Sequence, residues 1–217
     1  ISIYRKILGL VNELSDMREQ SKAQKLVELI THHSLVLAFD SCLISLEVFK
    51  KGIEEFDQNI HAIVATGTQA KSKNEINRLF ELGSEAQGVV GLCSDAMSEG
   101  LNLQQASAVV LLDMPSVIRI AEQRVGRVDR MNSPHKEIEV WWPNDSDAYS
   151  LKTDRKFVRR YMEVKEILGS NLDLPENLIP EARSAVGQPQ IHHRWRRQVD
   201  AHHGDSAKTP PTRGDQR

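Results

Sequence analysis

The sequence predicts a doubly wound α/β fold, a mainly parallel sheet with helices on both faces, and three observations carry that expectation. Short apolar runs recur at Leu35 to Phe39, His61 to Ala65, Gln87 to Cys93, Ala108 to Leu112 and Ile138 to Trp142. Runs of this length with little alternation suit strands buried on both faces, as parallel sheets require. Between them lie segments whose apolar residues recur at three- and four-residue steps, the spacing of crossover helices. Turn residues punctuate the joins at Asp40-Ser41, Thr66-Gly67-Thr68 and Asp113-Met114-Pro115.

In chain order, the first segment, about Ile3 to Met17, sets Ile3, Ile7, Leu10, Val11 and Leu14 on one face of an amphipathic helix. A second helix starts from a cap at Ser21 and carries Ala23, Leu26, Val27 and Ile30 before Thr31-His32-His33 ends it. The strand Leu35 to Phe39 follows, then a helix from about Leu43 to Phe56 and the strand His61 to Ala65. A helix from about Lys73 to Leu82 comes next, with Gly83 as its C-terminal stop. Ser116 to Val125 reads as the helix between the fourth and fifth strands. Beyond Pro143, Asp154 to Ile167 is a charged helix with Phe157, Val158, Tyr161, Val164 and Ile167 on one stripe, suited to pack on the lobe or on a partner. Leu172 to Pro180 is a Pro- and Asn-punctuated extension. From about Arg183 the composition turns to His, Arg, Gln, Pro and Asp, which cannot bury a core and predicts a disordered tail. The chain therefore divides into an N-terminal helical segment (1–18), the α/β lobe (19–148), a C-terminal helix and extension (149–182) and the tail (183–217).

Composition narrows the function. The 217 residues are 40% hydrophobic, enough for a buried core, and Lys+Arg 28 against Asp+Glu 30 leaves a formal charge of -2. Any nucleic-acid contact must therefore come from a local patch. Cys42 and Cys93 sit in or beside apolar runs without CxxC spacing and read as reduced core thiols of a cytoplasmic protein, with no metal site. No apolar run is long enough to span a membrane, and no signal peptide opens the chain. The start at Ile1 suggests a processed product or a fragment of a longer protein. His192-His193 and His202-His203 allow a metal reading that nothing in their spacing fixes, and Arg194, Arg196 and Arg197 around Trp195 allow a nucleic-acid contact. An altered reading frame would also explain the tail.

Ligands of doubly wound sheets gather at the carboxyl ends of the strands, which directs attention to the segments just after them. Behind the predicted helix at Ser116 to Val125 stands Gln123-Arg124-Val125-Gly126-Arg127-Val128-Asp129-Arg130, with three arginines in eight residues. On a helical turn Arg127 and Arg130 would project from one face as two forked donors suited to a phosphate. A solvated basic helix paired with Glu122 and Asp129 is the alternative. Asp95 can cap a helix or contact a ligand, and Thr66-Gly67-Thr68 can be an ordinary polar turn or a set of phosphate donors.

Three strings occur in order: Ser94 to Leu103, with Glu99-Gly100-Leu101-Asn102-Leu103 inside it; Val109 to Pro115; and Gln123 to Arg130. Together with Ser21-Lys22 and Thr66-Gly67-Thr68 they resemble motifs of superfamily-two helicases, most closely the Swi/Snf-like branch, over about Ser21 to Pro143. The resemblance implies a RecA-like three-layer α/β/α lobe, the second of two that enclose ATP. The first lobe holds the phosphate-binding loop and Mg2+, and this chain contains no Gly-Lys dipeptide. Arg127 and Arg130 would then reach the terminal phosphate as arginine fingers, while Gln123, Gly100, Asn102 and Asp95 would contact the nucleotide. Ser41, Thr66, Gly67, Thr68, Lys71 and Ser94 would follow a nucleic-acid backbone, double-stranded DNA being favoured. Arg124 would pair with an acid on the lobe surface, and Gly126 would allow close approach of a strand or nucleotide. Glu99 stands where many related helicases carry arginine or glycine. The expected partners are a first RecA-like lobe and nucleic acid, with a nucleoid or nuclear setting and no membrane. A non-catalytic nucleic-acid-binding or regulatory module that retains the lobe fold is the alternative.

Overall fold

The computed structural model describes residues 2–13, 15–98, 101–130, 132–145, 156–163, 172–175, 178 and 194–196. Helices α1 (Ser2–Glu13) and α2 (Met17–Ile30) open the chain. Then follow β1 (Leu35–Phe39), α3 (Leu43–Phe56), β2 (His61–Ala65), α4 (Ala70–Phe80), β3 (Val89–Cys93), a 3-10 turn (Asp95–Ser98), β4 (Ala108–Leu111), α5 (Ile118–Val125) and β5 (Glu137–Trp141). The strands lie in the order β2-β3-β1-β4-β5, all parallel, so their carboxyl ends share one edge of the sheet.

Alternation along the central strand sorts the core into two halves. Leu35, Leu37 and Phe39 of β1 face one side, with Ile76 and Phe80 of α4 and Ala121 and Val125 of α5. Val36 and Ala38 face the other, with Leu26 and Leu29 of α2 and Leu46, Phe49 and Ile53 of α3. Side-chain period two in the strand and helices on both faces make three layers, with β1 sealed between them. Residues 156–163 are helical, and Phe157, Val158 and Tyr161 bury against the same face as α4 and α5. The Tyr161 hydroxyl donates to the Leu172 carbonyl at 2.6 Å, which ties the following extension down. Val164 and Ile167 lie outside the described residues.

Several sequence expectations shift. Helix α2 begins at Met17, so Ser21 is inside it rather than capping it, and its hydroxyl donates back to the Met17 carbonyl at 2.7 Å. Helix α4 begins at Ala70 and ends at Phe80; Gly83, at φ +88°, lies three residues past the end. None of the described α1 side chains is buried, and Ile3, Ile7, Leu10 and Val11 are exposed. Cys93 is a buried thiol that desolvation pushes up to about 12, but Cys42 is exposed at the start of α3. Within the region read as a disordered tail, Arg194–Arg196 forms a sixth strand, β6, antiparallel to β5, with Ile138 opposite Trp195. The outer edge of β5 offers a row of unpaired backbone groups that any extended segment can satisfy. The paired histidines of that region lie outside the described residues.

Candidate nucleotide and nucleic-acid site

Four of the five parallel strands deliver a polar residue to the shared edge one or two positions after they end. Asp40 follows β1, Thr66 follows β2, Ser94 and Asp95 follow β3, and Asp113 follows β4. The backbone ladder reaches these positions, with the Asp40 N–H donating to the Cys93 carbonyl at 3.1 Å and the Ser94 N–H to the Ala65 carbonyl at 3.0 Å, so the polar side chains are held at the rim of the sheet.

Arg124 organises this edge. It sits in the last turn of α5 and is 0% exposed. Its Nε donates to Asp95 Oδ1 at 2.7 Å, Nη2 lies 2.7 Å from the same oxygen, and Nη1 donates to Asp113 Oδ1 at 2.8 Å. The Phe39 ring lies 5.9 Å from its guanidinium carbon. The expected acidic pairing is present, but on a buried side chain instead of a surface one. The reason is topological: α5 packs over the carboxyl ends of β3 and β4, where the two aspartates already stand.

The charge network continues across the sheet. Asp113 Oδ2 accepts the Ser41 N–H at 3.1 Å, and Asp40 Oδ1 accepts the Cys42 N–H at 2.7 Å. Burial pushes the Asp40 carboxyl up to about 6; the nearby Asp113 adds to this, while the Cys42 bond, Lys22 and Arg124 oppose it. Lys22, on α2, donates to the Leu112 carbonyl at 2.7 Å and lies 3.1 Å from Asp145. Desolvation holds its ammonium below the usual range despite Asp145. Arg18 grips Asp145 with two bonds at 2.9 and 2.7 Å, and the Asp145 bond is the main cause that raises the Arg18 guanidinium. Burial works to raise Asp145, but Arg18 and Lys22 together leave it lowered. Asp40, Asp145 and the Arg124 fork were not among the sequence candidates. The signal in the sequence is an aspartate immediately after the first and fourth apolar runs, at Asp40 and Asp113.

The arginine-bearing segment leaves the helix before its two end residues. Helix α5 stops at Val125, and Arg127 and Arg130 ride on the turn that follows, not on one helical face. Gly126 ends the helix: a Cβ there would come within 2.8 Å of the Glu122 carbonyl oxygen. Its role is in its own turn and not against a neighbouring strand. That turn is stitched to the 101–103 segment, where the Leu103 N–H donates to the Arg127 carbonyl at 3.1 Å and Arg130 Nη2 donates to the Leu101 carbonyl at 3.2 Å. Arg127 is half-buried and Arg130 exposed, and Gln123 is half-buried on α5.

The remaining candidates gather around the same edge. Ser94 Oγ and Asn102 Oδ1 are buried without a hydrogen-bond partner among the described residues. Glu99 and Gly100 lie outside those residues. Thr66 and Thr68 share a hydroxyl bond at 2.9 Å around Gly67, whose φ of +80° only glycine adopts easily. A Cβ on Gly67 would stand 2.7 Å from Ala96 Cβ, so this turn lies directly on the 3-10 turn after β3. Ser41 is exposed, and Lys71 is exposed in the first turn of α4. No group of three or more metal-ligating side chains occurs among the described residues, and no described helix is long and apolar enough to cross a membrane.

The model of the helicase conserved C-terminal domain matches residues 21–132, which is just over half of the chain and contains every element of this edge except Asp145 and Arg18. The chain belongs to that family. RNA polymerase-associated protein RapA of Pectobacterium atrosepticum is 34% identical over 135 residues, covering 61% of this chain and 11% of that protein. This helicase lobe thus spans about a tenth of the length of that curated relative, and the likeness bears out the Swi/Snf-like, superfamily-two resemblance. The Mss116p DEAD-box helicase domain 2, solved bound to an RNA duplex, has the same fold at a TM-score of 0.53 and 16% identity, over 79% of this chain and 66% of that one. T4 UvsW is similar at 0.52 and 16% identity, over 74% of this chain and 35% of that one. The RecA-like lobe expected from the sequence is therefore the fold of this chain.

Proposed function

We propose that this lobe is the second motor lobe of an ATP-driven nucleic-acid translocase and that it supplies Arg127 and Arg130 to ATP held by a first lobe. The observation that supports the reading is the turn after α5, which carries both arginines directly behind Arg124 and is bonded to Leu101 and Leu103. Charge that accumulates on a phosphoryl group during transfer is stabilised by guanidinium groups fixed in advance, an effect of about 10³ to 10⁵ in rate. Lysine lacks the planar fork and would substitute poorly. Ser94 Oγ and Asn102 Oδ1 have hydrogen-bonding capacity that a polar ligand can take up, which fits a nucleotide or a phosphate backbone. Asn102, Asp95, Gly100 and Gln123 would line the nucleotide side, and Mg2+ would be held by the first lobe.

Ser41, Thr66, Gly67, Thr68, Lys71 and Ser94 would form the track, reading backbone phosphates and no sequence. The preferred substrate is double-stranded DNA, on the Swi/Snf-like likeness. RapA is named for association with RNA polymerase, which supports a nucleoid setting for this chain.

The test joins the lobe to a matching first lobe and measures ATP turnover and DNA binding. Arg127→Ala and Arg130→Ala should each lower turnover about 10³-fold while DNA affinity stays within about threefold. Unchanged turnover in both variants would remove the arginine-finger assignment. Strong DNA-stimulated turnover by the unjoined chain would overturn the need for a first lobe. Binding without turnover in the joined protein would favour a non-catalytic module.

A further inference from the structure

Removing a guanidinium wholly from water is unfavourable, and a well-packed apolar side chain at the same place is often as stable or more so. Stability alone therefore does not account for Arg124 at the centre of the carboxyl edge. Its two arms end on different loops. Through Asp95 it holds the 3-10 turn on which the Thr66-Gly67-Thr68 turn rests, with Ala96 filling the space a Gly67 side chain would need. Through Asp113 it holds Ser41, because the second oxygen of that carboxylate takes the Ser41 N–H. On its own helix, Arg124 stands at the base of the turn that carries Arg127 and Arg130, and its carbonyl accepts the Arg127 N–H at 3.4 Å.

We propose that Arg124 is a positioning residue that makes the track loops and the arginine-bearing turn one mechanical unit, so that nucleic acid seated on Ser41 and Thr66 to Thr68 sets the placement of Arg127 and Arg130. A displacement of either loop must break a charge-assisted bond or carry the end of α5 with it. Loss of either bond would leave the fully buried guanidinium with one carboxylate partner fewer beside the Phe39 ring, so movement with the loop is favoured. Nucleic acid would thereby accelerate hydrolysis without any contact of its own to the nucleotide. This rests on the motor reading above.

The experiment measures ATP turnover of the joined two-lobe protein with and without saturating duplex DNA. DNA-stimulated turnover by the unaltered protein is the first requirement, and its absence would defeat the motor reading itself. Given that stimulation, Asp113→Asn is the decisive variant. An amide offers one acceptor oxygen where the carboxylate offers two, so it cannot hold both Arg124 and the Ser41 N–H. Unstimulated turnover and duplex affinity should stay within about twofold, while the stimulation ratio falls about five- to 150-fold, the span typical of coupling between sites. Asp113→Glu should recover part of the ratio. Arg124→Lys should lose it as well, since one ammonium cannot bridge both carboxylates. Full stimulation in Asp113→Asn would overturn the proposal, and so would an equal fall of both rates, which would mark the fork as structural only.

Discussion

The two ends of the parallel sheet are held in different ways. At the carboxyl end the connections are ionic and largely buried: Arg124 between Asp95 and Asp113, Lys22 and Arg18 on Asp145, and Asp40 raised by burial beside Asp113. At the amino end they are half-exposed clips built on histidine, glutamate and glutamine side chains. His33 Nδ1 shares a bond with Ser107 Oγ at 2.8 Å and Nε2 lies 2.8 Å from Glu139 Oε2, joining the α2–β1 connection to β4 and β5. His135 Nε2 bonds the Gln105 carbonyl at 2.9 Å, and Gln105 Oε1 accepts the Gly83 N–H at 3.0 Å. Both ends close the same strands, so closure alone does not require buried charge. Among the described residues the fully buried charge, Arg124, is at the end where the family strings lie, which is where a phosphate ligand would need oriented charges.

The largest effect expected from breaking this asymmetry comes from stranding the buried cation. Asp95→Ala with Asp113→Ala leaves a fully buried guanidinium with both carboxylates gone, a situation that costs about 3–5 kcal/mol. Urea unfolding of the full chain at neutral pH checks it. A loss below about 1 kcal/mol would mean that Arg124 finds water or another acceptor, and the two ends would then differ in composition but not in energetics.

The layered fold was readable from the sequence because local patterns determine it. β1, α3 and β2 fall at the expected boundaries, since each apolar run is bracketed by turn residues such as Asp40-Ser41 and Thr66-Gly67-Thr68. Patterns that depend on one residue doing two things were not readable. Ser21 can cap a helix or bond back within one, and only the start of α2 at Met17 decides. Arg127 and Arg130 have helical spacing, but Gly126 ends the helix ahead of them. The acidic pairing of Arg124 is as expected, but its burial and the identity of its partners are not readable. Its partners are 29 and 11 positions away in the chain, so no periodicity links them, and a charge run ordinarily signals a solvated surface. The strand at Arg194–Arg196 lies in a segment whose composition predicts none; it forms against an existing edge.

A smaller effect, of opposite sign, is expected at Asp40. Its carboxyl sits at about 6 in the folded chain against 3.8 in the unfolded one, so the folded state binds the proton more tightly. The stability this contributes is complete below the unfolded value and is lost as pH rises through about 6. Asp40→Asn keeps an oxygen for the Cys42 N–H and removes the titration. The variant should be more stable than the parent by on the order of 2 kcal/mol at pH 7.5, with the advantage vanishing near pH 4. A constant difference between those pH values would show that Asp40 is not the source.

The smallest effect belongs to the amino end. His33→Gln can satisfy Ser107 or Glu139 but not both, and the partner left over is close enough to solvent to find water. One half-exposed hydrogen bond is then lost, about 1 kcal/mol. Five strand residues separate the two ends, roughly 17 Å, so His33→Gln and Asp40→Asn should add within about 0.5 kcal/mol. In the joined protein His33→Gln should leave the DNA stimulation ratio unchanged, because no charged bond connects its clip to Arg124. A coupling above that margin, or a fall in stimulation, would mean that strain passes along the strands themselves. The carboxyl-end network would then be one part of a sheet-wide response instead of its seat.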